Sequence, residues 1–212
     1  HWDSPLPMGR VPHLLVMDLA TGRVRDLFEG LPYEMVRSDP DRNGFDIAPD
    51  GRRITFAFDA AAEKLAGNCF ALAEIELKDR RVRELARDAA WDMGAPRYSP
   101  DGERIAFLAS HQGRKHTMPA QLCVWERETG SWELVSGEWD HELCAPLQWE
   151  EDGQSLLFTA EQQGRQHLWR FDLPDRRAEI VVRGGTVGAF DKRAGTLVTL
   201  ADRSEEHTSE LQ

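Results

Sequence analysis

Four groups of residues in this 212-residue chain have the types and spacing to suggest chemistry. Asp39-Pro40-Asp41-Arg42-Asn43-Gly44 matches the first half of a calcium loop, with Asp50 at the twelfth position. No helical period flanks it, Pro40 is foreign to such loops, and Asp50 already belongs to a hairpin turn. The expectation is therefore a turn rather than a calcium site. His141-Glu142 with Cys144, and His111 with His116, offer metal-ligand types, but neither group has the second ligand pair that a closed site needs. Ser99 and Ser110 stand in repeat strands or turns, and no Gly-x-Ser-x-Gly elbow occurs anywhere in the chain. The sequence thus predicts no catalytic, cofactor-binding or metal-ligating residue within these 212 positions.

The elements that hold these residues follow from an internal repeat. Asp50-Gly51, Asp101-Gly102 and Asp152-Gly153 stand 51 residues apart. Each is preceded by a related flank, Ile47-Ala48-Pro49, Tyr98-Ser99-Pro100 or Trp149-Glu150-Glu151. Each is followed by Ile54-Thr55-Phe56, Ile105-Ala106-Phe107 or Leu156-Leu157-Phe158. An apolar residue three before the Asp, with apolar residues four and six after it, describes a hairpin whose strands share a buried face. Asp-Gly suits the turn because Gly accepts positive φ and the Asp carboxylate bonds its own backbone. A second repeat interleaves with the first: Leu14 to Leu27, Ala71 to Leu85, Leu122 to Leu134 and Leu168 to Ile180. Each copy is a strand, a polar turn and a short strand. In one of them Cys123, Trp125 and Arg127 alternate with Leu122, Val124 and Glu126.

Together the repeats give four short strands per unit at the spacing of propeller blades. The fold class is all-β, a partial β-propeller of four-stranded antiparallel blades. Full blades are expected over 43–86, 94–136 and 145–182. Half blades are expected over 13–28 and 186–201, with Asp191 to Gly195 as a degraded turn. Propellers close into a ring that hides sheet edges. An open arc leaves blade faces bare at both ends, which predicts truncation at both termini and poor solubility or aggregation of the isolated chain.

Composition narrows the partners. The formal net charge of -11 repels phosphate backbones and argues against nucleic acid. No run of eighteen apolar residues is present, so no membrane-spanning helix is expected. Cys69, Cys123 and Cys144 form neither a CxxC nor an even set, and read as small strand residues. Residues 203–212, from Arg203 to Gln212, have no strand period and resemble the translation of a common short-read sequencing adapter. They are set apart as a non-native tail, leaving 1–202 as the propeller segment.

The Asp-Gly hairpin followed by strand–turn–strand is similar to the repeat of TolB-type propellers and of the propellers of prolyl oligopeptidase-family serine peptidases. His1-Trp2-Asp3-Ser4, followed by Pro12-His13-Leu14-Leu15-Val16-Met17-Asp18-Leu19 and Thr21-Gly22, resembles the acylaminoacyl-peptidase and dipeptidyl-peptidase branch more narrowly. The resemblance implies a substrate-gating propeller beside a separate α/β-hydrolase domain that carries the triad, with peptides as substrates. The alternative is a non-enzymatic TolB-like propeller that binds proteins. Glu150-Glu151 invites comparison with the paired glutamates that hold substrate amino termini in dipeptidyl peptidases. Its place in a hairpin turn argues for a solvated turn instead. Trp91, Trp125, Trp132, Trp149 and Trp169 fall in or beside strands and are expected to pack between blades. Compartment and oligomeric state are not legible.

Overall fold

The computed structural model describes residues 11–37, 42–61, 69–113, 117–137, 139–183 and 185–202. His1-Trp2-Asp3, Asp39-Pro40-Asp41, His116 and the 203–212 tail lie outside the described residues.

Among the described residues, sixteen strands form three four-stranded antiparallel sheets between two two-stranded ones. The first half blade pairs β1 (Leu15–Met17) with β2 (Val24–Asp26). Blade A contains β3 (Phe45–Ile47), β4 (Arg53–Asp59), β5 (Phe70–Glu76) and β6 (Val82–Ala86). Blade B contains β7 (Trp91–Tyr98), β8 (Arg104–His111), β9 (Gln121–Glu126) and β10 (Ser131–Leu134). Blade C contains β11 (Leu143–Trp149), β12 (Ser155–Gln162), β13 (Arg165–Asp172) and β14 (Arg177–Val182). A last half blade pairs β15 (Thr186–Arg193) with β16 (Thr196–Asp202). Within every blade the strands pair in chain order. This is the partial propeller that the repeat predicts.

The Asp-Gly turns are built alike. Gly51, Gly102 and Gly153 take φ of +66°, +73° and +66°. The carboxylates of Asp50, Asp101 and Asp152 accept the N–H two residues on at 2.9, 3.0 and 2.8 Å. The last hairpin is tighter. Arg193 pairs directly with Thr196, and Ala194 and Gly195 sit at φ +47° and +75°, the signature of a two-residue type I′ turn.

Inner strands begin earlier than the sequence pattern indicates, at Trp91 and Leu143 rather than 94 and 145. Pro96 and Pro146 cannot donate to a ladder. Both strands accommodate them in irregular register, between Gly94 and Arg97 and between Cys144 and Gln148. Pairing resumes on the far side.

The core lies between blades. β9 is buried on both faces: Cys123 and Trp125 join the cluster between blades A and B, and Leu122 and Val124 join the one between B and C. The alternation read from the sequence therefore separates two neighbours rather than core from solvent. A further cluster of Leu14, Leu27, Phe28, Phe56 and Ile75 joins the first half blade to blade A. A smaller one of Leu157, Leu168 and Val187 joins blade C to the last half blade.

Candidate functional site

The first strands of blades A, B and C and of the last half blade surround a cavity of about 750 Å³. It is the channel at the axis of the arc. Asp46, Arg97, Gln148 and Asp191 line it from matching positions of the four strands.

These residues also stitch the blades together. The Asp46 carboxylate accepts the Tyr98 N–H at 2.8 Å, and the Gln148 amide oxygen accepts the Lys192 N–H at 3.2 Å. Gln148 also donates to the Lys192 carbonyl at 2.6 Å. In each case a side chain on one inner strand takes the backbone of the next. Arg97, at the matching position of blade B, has no acceptor to offer. There the Trp149 indole N–H donates to the Arg97 carbonyl at 2.9 Å. The Arg97 guanidinium turns back to blade A instead, donating to the Asn43 side chain at 2.7 Å and the Phe45 carbonyl at 3.2 Å. Burial raises the Asp46 carboxyl above its ordinary range, and this outweighs the Tyr98 N–H and the nearby Arg97 charge.

A buried ionic cluster lies behind the channel between blades A and B. Glu74 accepts from Arg127 at 2.5 and 3.1 Å and from the Tyr98 hydroxyl at 2.7 Å, with Arg53 at 3.8 Å. Burial pushes Glu74 up, but the hydrogen bonds from Arg127 and Tyr98 and the two guanidinium charges bring it below its ordinary value. Burial and the adjacent Glu74 drive the Tyr98 phenol far upward, so it remains a donor. Arg127 and Arg83 also lie over the Trp125 ring at 5.2 and 5.3 Å. The sequence offered no signal for this cluster, because its members come from two blades and, apart from Arg53, which Arg104 matches, do not recur in the repeat.

The residues singled out from the sequence have structural tasks. Ser99 is buried; its hydroxyl donates to Asp101 at 2.6 Å and accepts the Arg104 N–H at 2.9 Å, closing the turn. Ser110 is exposed near the end of β8. Asp50 is occupied by the Arg52 N–H and the Arg53 guanidinium, at 2.9 and 3.1 Å. His141 stands edge-on to Trp139 and tilted over Trp169, with ring centroids at 5.2 and 5.6 Å. His111 stands edge-on to Trp91. Burial raises the Cys144 thiol, and it raises that of Cys123 to about 12. Among the described residues no three His, Cys, Asp or Glu side chains are grouped to hold a metal ion. Glu150 grips Lys192 at 2.5 and 2.7 Å, and Glu151 accepts the Ala194 N–H at 2.8 Å. The pair thus anchors the following hairpin. Trp91, Trp125 and Trp132 pack between blades A and B, and Trp149 and Trp169 between B and C.

No protein-family model matches the chain. Among curated proteins it is 23% identical over 194 residues to dipeptidyl-peptidase 5 of Porphyromonas gingivalis, covering 87% of this chain and 27% of that one. It is 24% identical over 206 residues to the human acylamino-acid-releasing enzyme, covering 89% and 27%. The chain therefore spans about a quarter of the length of these relatives. Among solved structures it superposes on prolyl endopeptidases with a TM-score of 0.63 at 9% identity, over 89% of this chain and 28% of that one. It superposes on TolB of Acinetobacter baumannii with a TM-score of 0.58 at 18% identity, over 82% and 39%. At such identities the superpositions speak for the fold. No helix among the described residues is long and apolar enough to cross a membrane. The chain is a run of β-propeller blades similar in sequence to a dipeptidyl-peptidase and to acylamino-acid-releasing enzymes.

Proposed function

We propose that these blades are the substrate-gating propeller of a serine peptidase that acts on peptides. Hydrolysis would be carried out by an α/β-hydrolase domain outside these 212 residues. The observation that carries this reading is the sequence similarity to two peptidases along nearly the whole chain. The channel supports it. Its inner strands are held side to side by hydrogen bonds, so they form a continuous concave lining around about 750 Å³. In the hydrolase domain an activated serine would form the acyl-enzyme, with an oxyanion hole stabilising the developing charge. The gate contributes selection and exclusion of bulk water.

The experiment is expression of the complete reading frame that encodes this chain. Chromogenic dipeptide and N-acyl-amino-acid substrates are then assayed with and without a serine-directed inhibitor. Inhibitor-sensitive cleavage of short peptides, with a folded protein left intact, is the expected result. A reading frame that closes the ring and contains no Gly-x-Ser-x-Gly elbow would overturn it. That outcome would favour the second reading, a TolB-like protein-binding propeller, which the TolB superposition keeps in view.

A further inference from the structure

Three seams join the inner strands, and each is closed by different chemistry. Between blades A and B the Asp46 carboxylate accepts the Tyr98 N–H at 2.8 Å. Between B and C the Trp149 indole donates to the Arg97 carbonyl at 2.9 Å. Between C and the last half blade the Gln148 amide oxygen accepts the Lys192 N–H at 3.2 Å, and its nitrogen donates to the Lys192 carbonyl at 2.6 Å. Asp46 and Gln148 stand at the same position of the repeat and take the same backbone group of the next inner strand. One of these two acceptors is a carboxyl, which titrates in mild acid, and the other is an amide, which does not.

Asp46 is partly buried on β3, with Thr55 of β4 opposite it. The charged groups that share its surroundings are Arg97 of β7, Arg42 in the short turn Arg42–Gly44 before β3, and Asp191 of β15 across the cavity. Arg97 directs hydrogen bonds to the Asn43 side chain and the Phe45 carbonyl, and Asp191 has Arg193 at 3.6 Å. Burial outweighs the Tyr98 N–H and the Arg97 charge, so the closed seam favours the neutral acid more than water does. On its other side Tyr98 donates its hydroxyl to Glu74 at 2.7 Å. The Glu74 carboxyl lies below its ordinary value, so it takes up a proton only in stronger acid than Asp46 needs.

We propose that Asp46 makes the seam between blades A and B a proton-responsive stitch, which tightens as the solution is acidified, while the amide of Gln148 holds its own seam at constant strength. A seam that opens returns Asp46 to water, where it ionises in the ordinary range. The closed seam binds the proton more tightly than the open one, so acid favours closure. The carbonyl oxygen of the neutral acid still accepts the Tyr98 N–H. A carboxylate held mainly by a guanidinium would respond in the opposite sense and loosen in acid. Because β3 and β7 both line the cavity, the stitch sets how firmly two of its walls are joined. Both strands belong to full blades, and the device works whether or not the chain serves a peptidase.

The test is amide hydrogen exchange of the full chain, resolved to single residues between about pH 4 and about pH 8. Rates are expressed as protection factors, which removes the intrinsic pH dependence of exchange. Tyr98 protection should rise as pH falls, by up to about tenfold per pH unit, and level off near the ordinary carboxylate value of about 4. Lys192 protection should stay level over the same range. Asp46→Asn keeps an acceptor for the Tyr98 N–H but cannot titrate, so its Tyr98 profile should be level. Gln148→Glu transplants the stitch, and Lys192 protection should then rise in acid. An unchanged near-ultraviolet circular dichroism spectrum checks that each variant is folded. A level Tyr98 profile in the wild-type chain, a fall in acid, or a rise that persists in Asp46→Asn would each overturn the proposal. So would a level Lys192 profile in folded Gln148→Glu.

Discussion

At the residue scale, the ionic cluster around Glu74 separates buried electrostatics from decoration. The Glu74 side chain is 6% exposed and that of Arg127 20%, whereas Arg81 and Glu76 are 70% and 40% exposed at the same short distance. Removing one partner of a buried pair leaves a charge without compensation, at a cost of about 3 kcal/mol or more. An exposed pair contributes about 0.5 kcal/mol. Arg127→Met should therefore lower stability by about 3 kcal/mol, and Arg81→Met by less than about 1 kcal/mol, in denaturant titrations. The pH dependence follows from Glu74. Its carboxyl lies below its ordinary value in the folded chain. Its stabilisation is complete above the unfolded value and drains away as pH falls through the folded one. Arg127→Met should shrink the stability gap between neutral and acid pH; an unchanged acid limb would show that other carboxylates set it.

At the element scale, turns and bulges decide where strands stop and resume. Ala95 sits at φ +52° in the irregular stretch of β7, a conformation that costs an L-residue about 1–2 kcal/mol. Glycine adopts it without that strain but gives back about 0.5–1 kcal/mol through the unfolded chain. Ala95→Gly should leave stability level or raise it by up to about 1 kcal/mol. Gly102→Ala at φ +73°, on the same balance, should lose up to about 1.5 kcal/mol. Thermal melts of both variants check the sign. The elements themselves were legible in the sequence. The Asp-Gly spacing gives the hairpins and the alternation gives the strand faces, because both are local and repeat. What escaped was lateral. The Asp46–Tyr98, Gln148–Lys192 and Glu74–Arg127 bonds join residues roughly fifty apart, and Arg97 breaks the series. The early starts of β7 and β11 escaped because proline hides a strand that continues through irregular register.

At the scale of the whole molecule, each blade touches only its neighbours, so stability is a sum of blade and boundary contributions. Blade B is covered on both faces, while each half blade is covered on one. Amide hydrogen exchange should be slowest in β8 and β9 and fastest in β1–β2 and β15–β16. A uniform exchange rate would mean that the arc opens as one unit. The candidate site was less legible than the fold. The sequence placed no functional residue, and the channel emerges only when four strands from distant parts of the chain converge. The peptidase reading came from resemblance, and the sequence relatives point the same way.

Strands apolar on both faces also have a history during synthesis. As a propeller leaves the ribosome, each finished blade presents a bare sheet until its successor arrives. With 51 residues between successive Asp-Gly turns and translation at about 5–20 residues per second, that exposure lasts about 3 to 10 seconds per blade. A nascent chain halted after β16 would look like the arc described above. Such a ribosome-bound intermediate should be a preferred client of chaperones that recognise apolar strands, at Val198 and Leu200 first.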